Sequence, residues 1–222
     1  MLRVIDIEST GIDPAKDKII EIASVDLTKT GIENEMRTFV NPQMPIPPQS
    51  SAVHHLLDED VAGQPLVDDA IGMFRGADYY VAHNAAFEKS FLSPWLGDKW
   101  ICTYKCALRL WPDAHSHSNQ ALRYQLGLSS PFGRDRRSIV AHSALDDCVV
   151  TAAIFLEITK RAKWADILQW SSEPGLMTIA PFGKHKGQRF DAVPKDYLEW
   201  ILRSDMDESA KFSAKYWLSK RG

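Results

Sequence analysis

Residues 2–8 open the chain with adjacent apolar, β-branched positions at Val4 and Ile5, the pattern of a buried strand. Gly11, Asp13 and Pro14 break it. Residues 19–27 read as a second strand, Gly31 as a turn, and residues 32–40 as a third strand. Connections this short favour antiparallel neighbours. Pro42, Pro45, Pro47 and Pro48 then mark a loop, and residues 50–57 a short helix capped by Ser50 or Ser51. The pattern continues with a helix over 67–74, a strand over 79–82, a helix over 85–92 and a strand over 100–102. Helices follow over 105–110 and 119–126, the latter stopped by Gly127. Residues 129–138 are polar and basic and predict a mobile loop. Over 144–162, Leu145, Val149, Ala152, Ala153 and Leu156 share roughly one helical face. This succession of strands and helices predicts an α/β fold, a mixed sheet covered by helices.

Composition shifts at Ser171-Ser172-Glu173-Pro174-Gly175. This predicts a main domain over 1–170, a linker over 171–181 and a small C-terminal module over 182–222, with helices near 197–202 and 210–218. A module of that size is marginal as an independent fold, so it is expected to dock on the main domain or on a partner. The chain of 222 residues carries a net charge of −3, but the module holds nine Lys/Arg against six Asp/Glu, leaving the rest at −6. An acidic body suits a carboxylate-rich metal site, and a basic tail suits phosphate contact. Cys102, Cys106 and Cys148 are too few for a disulfide framework or a structural zinc site and read as small buried residues. No signal peptide is apparent at the N-terminus, and the longest apolar run, 148–156, is too short for a membrane span. A cytoplasmic protein with no membrane partner is the expectation.

The candidate chemistry lies in three acidic groups. Asp6 and Glu8 stand at i and i+2 of a strand, so both carboxylates leave one face, roughly 7 Å apart at Cα. Hard oxygen ligands of this kind suit Mg²⁺ or Mn²⁺. Taken alone, the pair reads more readily as the solvated face of a strand, where acids are unremarkable. His142-Ser143-Ala144-Leu145-Asp146-Asp147 is more specific. A histidine just before a long helix can accept a proton near neutral pH. An aspartate in the first turn can complete a metal cage, and the spacing leaves Asp146 and Asp147 both eligible. No Gly-rich phosphate loop accompanies these residues, which argues against a nucleotide-hydrolysing enzyme or a nucleotide cofactor.

Together, Asp6-Ile7-Glu8-Ser9-Thr10-Gly11, His83-Asn84-Ala85-Ala86-Phe87-Glu88 and His142 to Asp147 resemble the three motifs of the DEDDh, or DnaQ-like, 3′→5′ exonucleases, over about residues 1–165. The resemblance implies a ribonuclease-H-like five-stranded mixed sheet flanked by helices. It implies two divalent cations, Mg²⁺ or Mn²⁺, held by Asp6, Glu8, Glu88 and Asp147, with His142 as general base. Glu88 departs from the family pattern, which has aspartate there. The longer side chain must fold back or displace a bound water to keep the same ligand geometry, which predicts retained but weakened Mg²⁺ activity and a preference for Mn²⁺.

Substrate contacts implied by the resemblance begin with Ser9, Thr10, Gly11 and Ile12, where Ile12 serves as an apolar wedge against the terminal base or simply packs. His54, Asn84 and Phe87 are expected near the terminal nucleotide, and Lys184 and Lys186 in the module are expected to contact DNA. Arg134, Arg136 and Arg137 could meet the phosphate backbone, but as a bare charge run they read more readily as a solvated loop. The leading expectation is a 3′→5′ exodeoxyribonuclease in DNA repair or recombination. It would release nucleoside 5′-monophosphates from single-stranded or duplex DNA with a 3′ end. Alternatives are an RNA-trimming exoribonuclease, a polymerase proofreading subunit, or a catalytically weak nucleic-acid-binding protein.

Overall fold

The computed structural model describes residues 1–221. Five strands form one sheet: β1 (Leu2–Ser9), β2 (Ile19–Leu27), β3 (Ile32–Phe39), β4 (Tyr79–Ala82) and β5 (Trp100–Cys102). Their order is β3-β2-β1-β4-β5. The pairs β1/β2 and β2/β3 are antiparallel, as their short connections require, and β1/β4 and β4/β5 are parallel. The helices are α1 (Pro48–His54), α2 (Asp58–Val61), α3 (Val67–Ala70), α4 (Ala86–Leu96), α5 (Thr103–Leu110), α6 (Asn119–Gln125), α7 (Ala144–Thr159), α8 (Trp164–Ser172), α9 (Lys195–Arg203) and α10 (Glu208–Ser219).

The central strand β1 is covered on both faces, and its side chains alternate between two cores. Val4 points to the core that holds Cys106, Leu122, Val149 and Phe155 of α5, α6 and α7. Ile5 and Ile7 point to the core with Ile71, Phe74, Phe91 and Leu92. Full burial of each such side chain contributes about 1.5–3 kcal/mol, so a register slip of one residue would cost several of these at once. Asp6 and Glu8 have the parity of Val4 and therefore face α7.

Four local expectations need correction. The helix over 50–57 begins instead at Pro48, without a side-chain cap, because proline is pre-organised for the first helical turn. The two serines serve elsewhere: Ser50 Oγ donates to the Thr10 carbonyl at 2.6 Å and Ser51 Oγ to the Leu56 carbonyl at 2.8 Å. The helix over 67–74 is half α-helical and half 3₁₀, changing at Ile71. The segment 129–138 is tied down by the buried Arg123, whose guanidinium donates to the Ser129 and Arg136 carbonyls at 2.8 and 2.9 Å. Arg134 in that segment pairs with Glu35 and Asp146 in place of standing free for phosphate.

Beyond the sheet, α8 closes at Ser171 and Ser172, inside the expected linker, where Ser171 Oγ donates to the Ile167 carbonyl at 2.7 Å. A third core gathers Ala180, Phe190, Leu198, Ile201, Ala210 and Ala214, with Met177 packed against it. This C-terminal unit is fastened to the rest at Arg109. Its guanidinium bonds Glu173 at 2.6 Å and lies 5.2–6.0 Å from the ring centres of Trp170, Phe212 and Tyr216. No helix among the described residues is long and apolar enough to cross a membrane.

Candidate active site

The parallel strands β1 and β4 pair from Leu2/Tyr79 to Val4/Val81, β1 runs on to Ser9, and the first turns of helices α4 and α7 face this extension. Three of these elements, β1, α4 and α7, deliver acids to the same place. Asp6 and Glu8 come from β1, where the register with β2 shifts between Glu8 and Ser9. Such irregularities re-aim side chains beside active sites. Glu88 lies in the first turn of α4 and is 3% exposed. Asp147 lies in the first turn of α7. One cavity of about 210 Å³ is lined by Asp6, Glu8, Glu88, Asp147 and His142, together with His83, Phe87 and Asn119. The geometry separates the two eligible aspartates. Asp147 faces this cavity, whereas Asp146 accepts the Val140 N–H at 3.0 Å and stays outside its lining.

Gathering four carboxylates in a partly dry pocket disfavours their ionisation. Burial first, then the charges of Glu88, Asp147, Glu8 and Glu21, raise Asp6 well above the ordinary carboxylate range. Glu8 is pushed up to about 8 by burial and by Asp147, Glu21 and Glu88. Burial also raises Glu88 to about 8, opposed by a hydrogen bond from its own backbone N–H. Asp147 is raised by burial, against hydrogen bonds from Gln120 and from the His142 backbone.

His142 is exposed and has a left-handed backbone, φ 60°. A non-glycine residue holds that conformation only under constraint. The constraint is visible: the His142 N–H donates to Asp147 Oδ2 at 2.8 Å. One ring nitrogen of His142 and a carboxylate oxygen each of Glu8 and Asp147 lie within 4.8 Å of one another, close enough to share a cation. Glu88 Oε2 is buried without a hydrogen-bond partner. Four carboxylates on one cavity, one with an unpartnered oxygen, fit divalent cations that prefer hard ligands.

A second cavity of about 510 Å³ shares Glu8 and Phe87 with the first and continues over Ser9, Thr10, Gly11, Ile12 and His54. Ile12 is 85% exposed, so the simple packing role does not apply. Gly11 is required by close approach, since a Cβ there would strike the Asp17 carboxylate. That carboxylate is held by the Asp13 N–H at 2.8 Å and by Thr10 Oγ1. His54 is buried; its Nδ1 accepts the Leu56 N–H at 3.0 Å and its Nε2 has no partner. Burial, then the neighbouring His55 and His142, lower its pKa and keep it neutral. Asn84 lines neither cavity; it is exposed in a left-handed turn, φ 70°, just before α4. Lys184 and Lys186 belong to the C-terminal unit and line neither cavity.

Several residues of the site carried no sequence signal. Gln120 Nε2 donates to Asp147 Oδ1 at 2.8 Å, and Gln120 Oε1 accepts from Arg123 at 3.1 Å. Asn119 Nδ2 donates to the Asp147 carbonyl at 3.3 Å and to Thr151 Oγ1 at 2.7 Å. Glu21, opposite Glu8 in the sheet, is buried and ion-paired to Arg37. His83 is held between Thr103 Oγ1 at 2.9 Å and the His117 carbonyl at 2.8 Å, and burial pushes it down to about 4.

Known proteins resemble this chain in sequence and fold. The RNase_T exonuclease family model matches residues 4–155. Exodeoxyribonuclease 10 of Escherichia coli strain K12 is 37% identical, over 98% of this chain and 99% of its own length. A DNA polymerase III of the PolC type from Thermotoga petrophila is 32% identical over 76% of this chain, which is 12% of that polymerase. A solved structure of exonuclease X in complex with 5′-overhanging duplex DNA superposes with a TM-score of 0.68 at 38% identity, covering 78% of this chain and 100% of that one. On its motifs, its five-stranded mixed sheet and these likenesses, the chain belongs to the DEDDh exonuclease family.

Proposed function

We propose that the chain is a metal-dependent 3′→5′ exodeoxyribonuclease that releases nucleoside 5′-monophosphates from DNA 3′ ends in repair or recombination. The observation that carries this reading is the convergence of Asp6, Glu8, Glu88, Asp147 and His142 on one cavity. Two divalent cations, Mg²⁺ or Mn²⁺, held by the four carboxylates would neutralise their repulsion and stabilise the attacking and leaving oxygens of a phosphodiester. His142, open to solvent beside Glu8 and Asp147, takes the proton of the attacking water. Asp147 serves twice, since its second oxygen fixes the His142 backbone.

The adjoining cavity takes the terminal nucleotides, and its volume is that of ordinary small-ligand sites, about 300–1,000 Å³. Ile12 presents bare apolar surface to the end base, the posture of a wedge between stacked bases. His54 Nε2 offers a hydrogen bond to the terminal sugar or phosphate. Ser9, Thr10 and Gly11 shape the floor, Phe87 forms the wall shared with the acids, and Asn84 sets the turn that aims Phe87 and Glu88. The three cysteines are free and buried, which suits a reducing cytoplasm.

Digestion of 3′- and 5′-labelled single-stranded DNA, duplex DNA and RNA with Mg²⁺, Mn²⁺ or chelator tests the reading. Mononucleotides should leave from the 3′ end alone. Asp6→Ala should lower the rate on the order of 10³-fold or more. Full activity in chelator, or release from the 5′ end, would overturn it, and preference for RNA would move the assignment to an exoribonuclease.

A further inference from the structure

The C-terminal unit carries a second constructed surface, away from the acidic cavity's lining. Trp200 of α9 is 48% exposed. Its ring stacks on Tyr197, one turn earlier, with centroids 5.1 Å apart and planes inclined by 26°. Tyr197 is packed from another side by the Gly183-Lys184-His185-Lys186-Gly187 loop. The His185 ring meets it edge-on at 4.6 Å, and Lys184 Nζ lies 5.2 Å from its ring centre. A Cβ at Gly183 would collide with the Tyr197 hydroxyl, and Gly183 adopts φ 65°, so only glycine lets the loop close this tightly. His185 Nδ1 is fixed to Gln188 Oε1 at 2.8 Å. The lysines are thus presented from a packed loop.

Their charges are available. The ion pairs of the unit use Arg189 with Asp113 and Asp191, and Lys195 with Glu199. Lys184 and Lys186 are exposed and enter no ion pair among the described residues. Residues 182–222 carry nine Lys/Arg against six Asp/Glu, while the remainder of the chain is at −6. A flat, open indole backed by a second ring, next to unpaired ammonium groups, is the chemistry that stacks an unpaired base and holds its phosphate.

We propose that Trp200, supported by Tyr197 and accompanied by Lys184 and Lys186, is a stacking platform for single-stranded DNA upstream of the 3′ end. The proposal rests on the reading of the cleft as a DNA 3′-end site and adds a second contact to the same strand. A strand long enough to reach both sites binds with the advantage of linked contacts. A strand that fills only the cleft gains nothing from the platform.

The test is fluorescence anisotropy of the full-length chain with 5′-labelled oligo(dT) of about 5 and about 30 nucleotides in chelator. Trp200→Ala should weaken the longer oligomer by about 5- to 100-fold and leave the shorter unchanged, while Trp200→Phe keeps the stacking surface and the affinity. Lys184→Ala with Lys186→Ala should reduce the slope of log affinity against log salt by about 1.4 for the longer oligomer. Parental affinity of Trp200→Ala for the longer oligomer overturns the proposal. So does equal weakening of both oligomers, which marks a general defect, or equal weakening of a blunt duplex, which marks a phosphate contact without stacking. Cleavage of the 5-nucleotide substrate with Mg²⁺ reports on the cleft alone, so failure of the platform and failure of the exonuclease reading are separable.

Discussion

Glu88 carries one methylene more than the aspartate of the family pattern and is 3% exposed. Its Oε2 is buried and unpartnered, a cost on the order of 1–3 kcal/mol unless a cation meets it. Glu88→Asp should therefore raise the Mg²⁺-supported rate and lower the Mn²⁺/Mg²⁺ rate ratio; an unchanged ratio in a steady-state assay would show that the longer side chain seats the cations equally well. Gln120 acts at one remove, by orienting Asp147. Gln120→Ala should cut kcat by about 10- to 100-fold with little change in Tm, measured by single-turnover cleavage beside a thermal melt. The two residues also mark what was legible in the chain. Asp6, Glu8, His142 and Asp147 sit in compact motifs that were legible together, through their resemblance to a known family, although spacing alone left Asp146 and Asp147 both eligible. Gln120 meets Asp147 across 27 positions, through the packing of α6 on α7, and no local pattern encodes that meeting.

Among the elements, β1 and β2 bear both the site and a buried ion pair at its far end. Arg3 and Asp26 face each other in register and are 6% and 2% exposed. Burial alone would raise Asp26, but hydrogen bonds from Arg3 and Asn34 outweigh it and hold the carboxyl below its ordinary range. The folded value is the lower one, so the pair's contribution is complete above the ordinary aspartate value, near 4. It disappears as pH falls through the folded value. Asp26→Asn leaves the Arg3 charge buried without a counter-charge and should cost about 3–5 kcal/mol near neutrality, with a shallower loss of stability below pH 4 in denaturant titrations. The strands were readable because their β-branched runs are short and punctuated by glycine and proline. By contrast α8 was not: Trp164, Ile167, Leu168 and Trp170 lie directly after the C-terminal turn of α7 and before a Ser-Ser-Glu-Pro-Gly run that reads as a linker. The Ser171 hydroxyl that closes this helix onto its own Ile167 carbonyl also accepts the Cys102 N–H at 3.0 Å, a tertiary contact.

For the whole molecule, the four clustered carboxylates make folding and cation binding interdependent. Anything bound by the folded state alone stabilises it, by about 2.7 kcal/mol at a hundredfold excess over Kd. Mg²⁺ or Mn²⁺ should raise Tm, chelator should reverse the rise, and Asp6→Ala should abolish it; a Tm indifferent to cations in calorimetry would count against the site as drawn. The C-terminal unit shares in this cohesion because Arg109 binds Glu173 beside the rings of Phe212 and Tyr216 across the seam.

Arg123 ties a surface segment to the site from inside the protein. Its guanidinium is 1% exposed and joins the 129–138 segment, through Gln120, to Asp147. No other cationic side chain can substitute in place: lysine is a point donor and cannot span the Ser129 carbonyl, the Arg136 carbonyl and the Gln120 amide together. Chain drift over generations should therefore be free on the exposed Arg136 and Arg137 side chains, and closed at position 123, which touches neither the substrate cavity nor an acid directly.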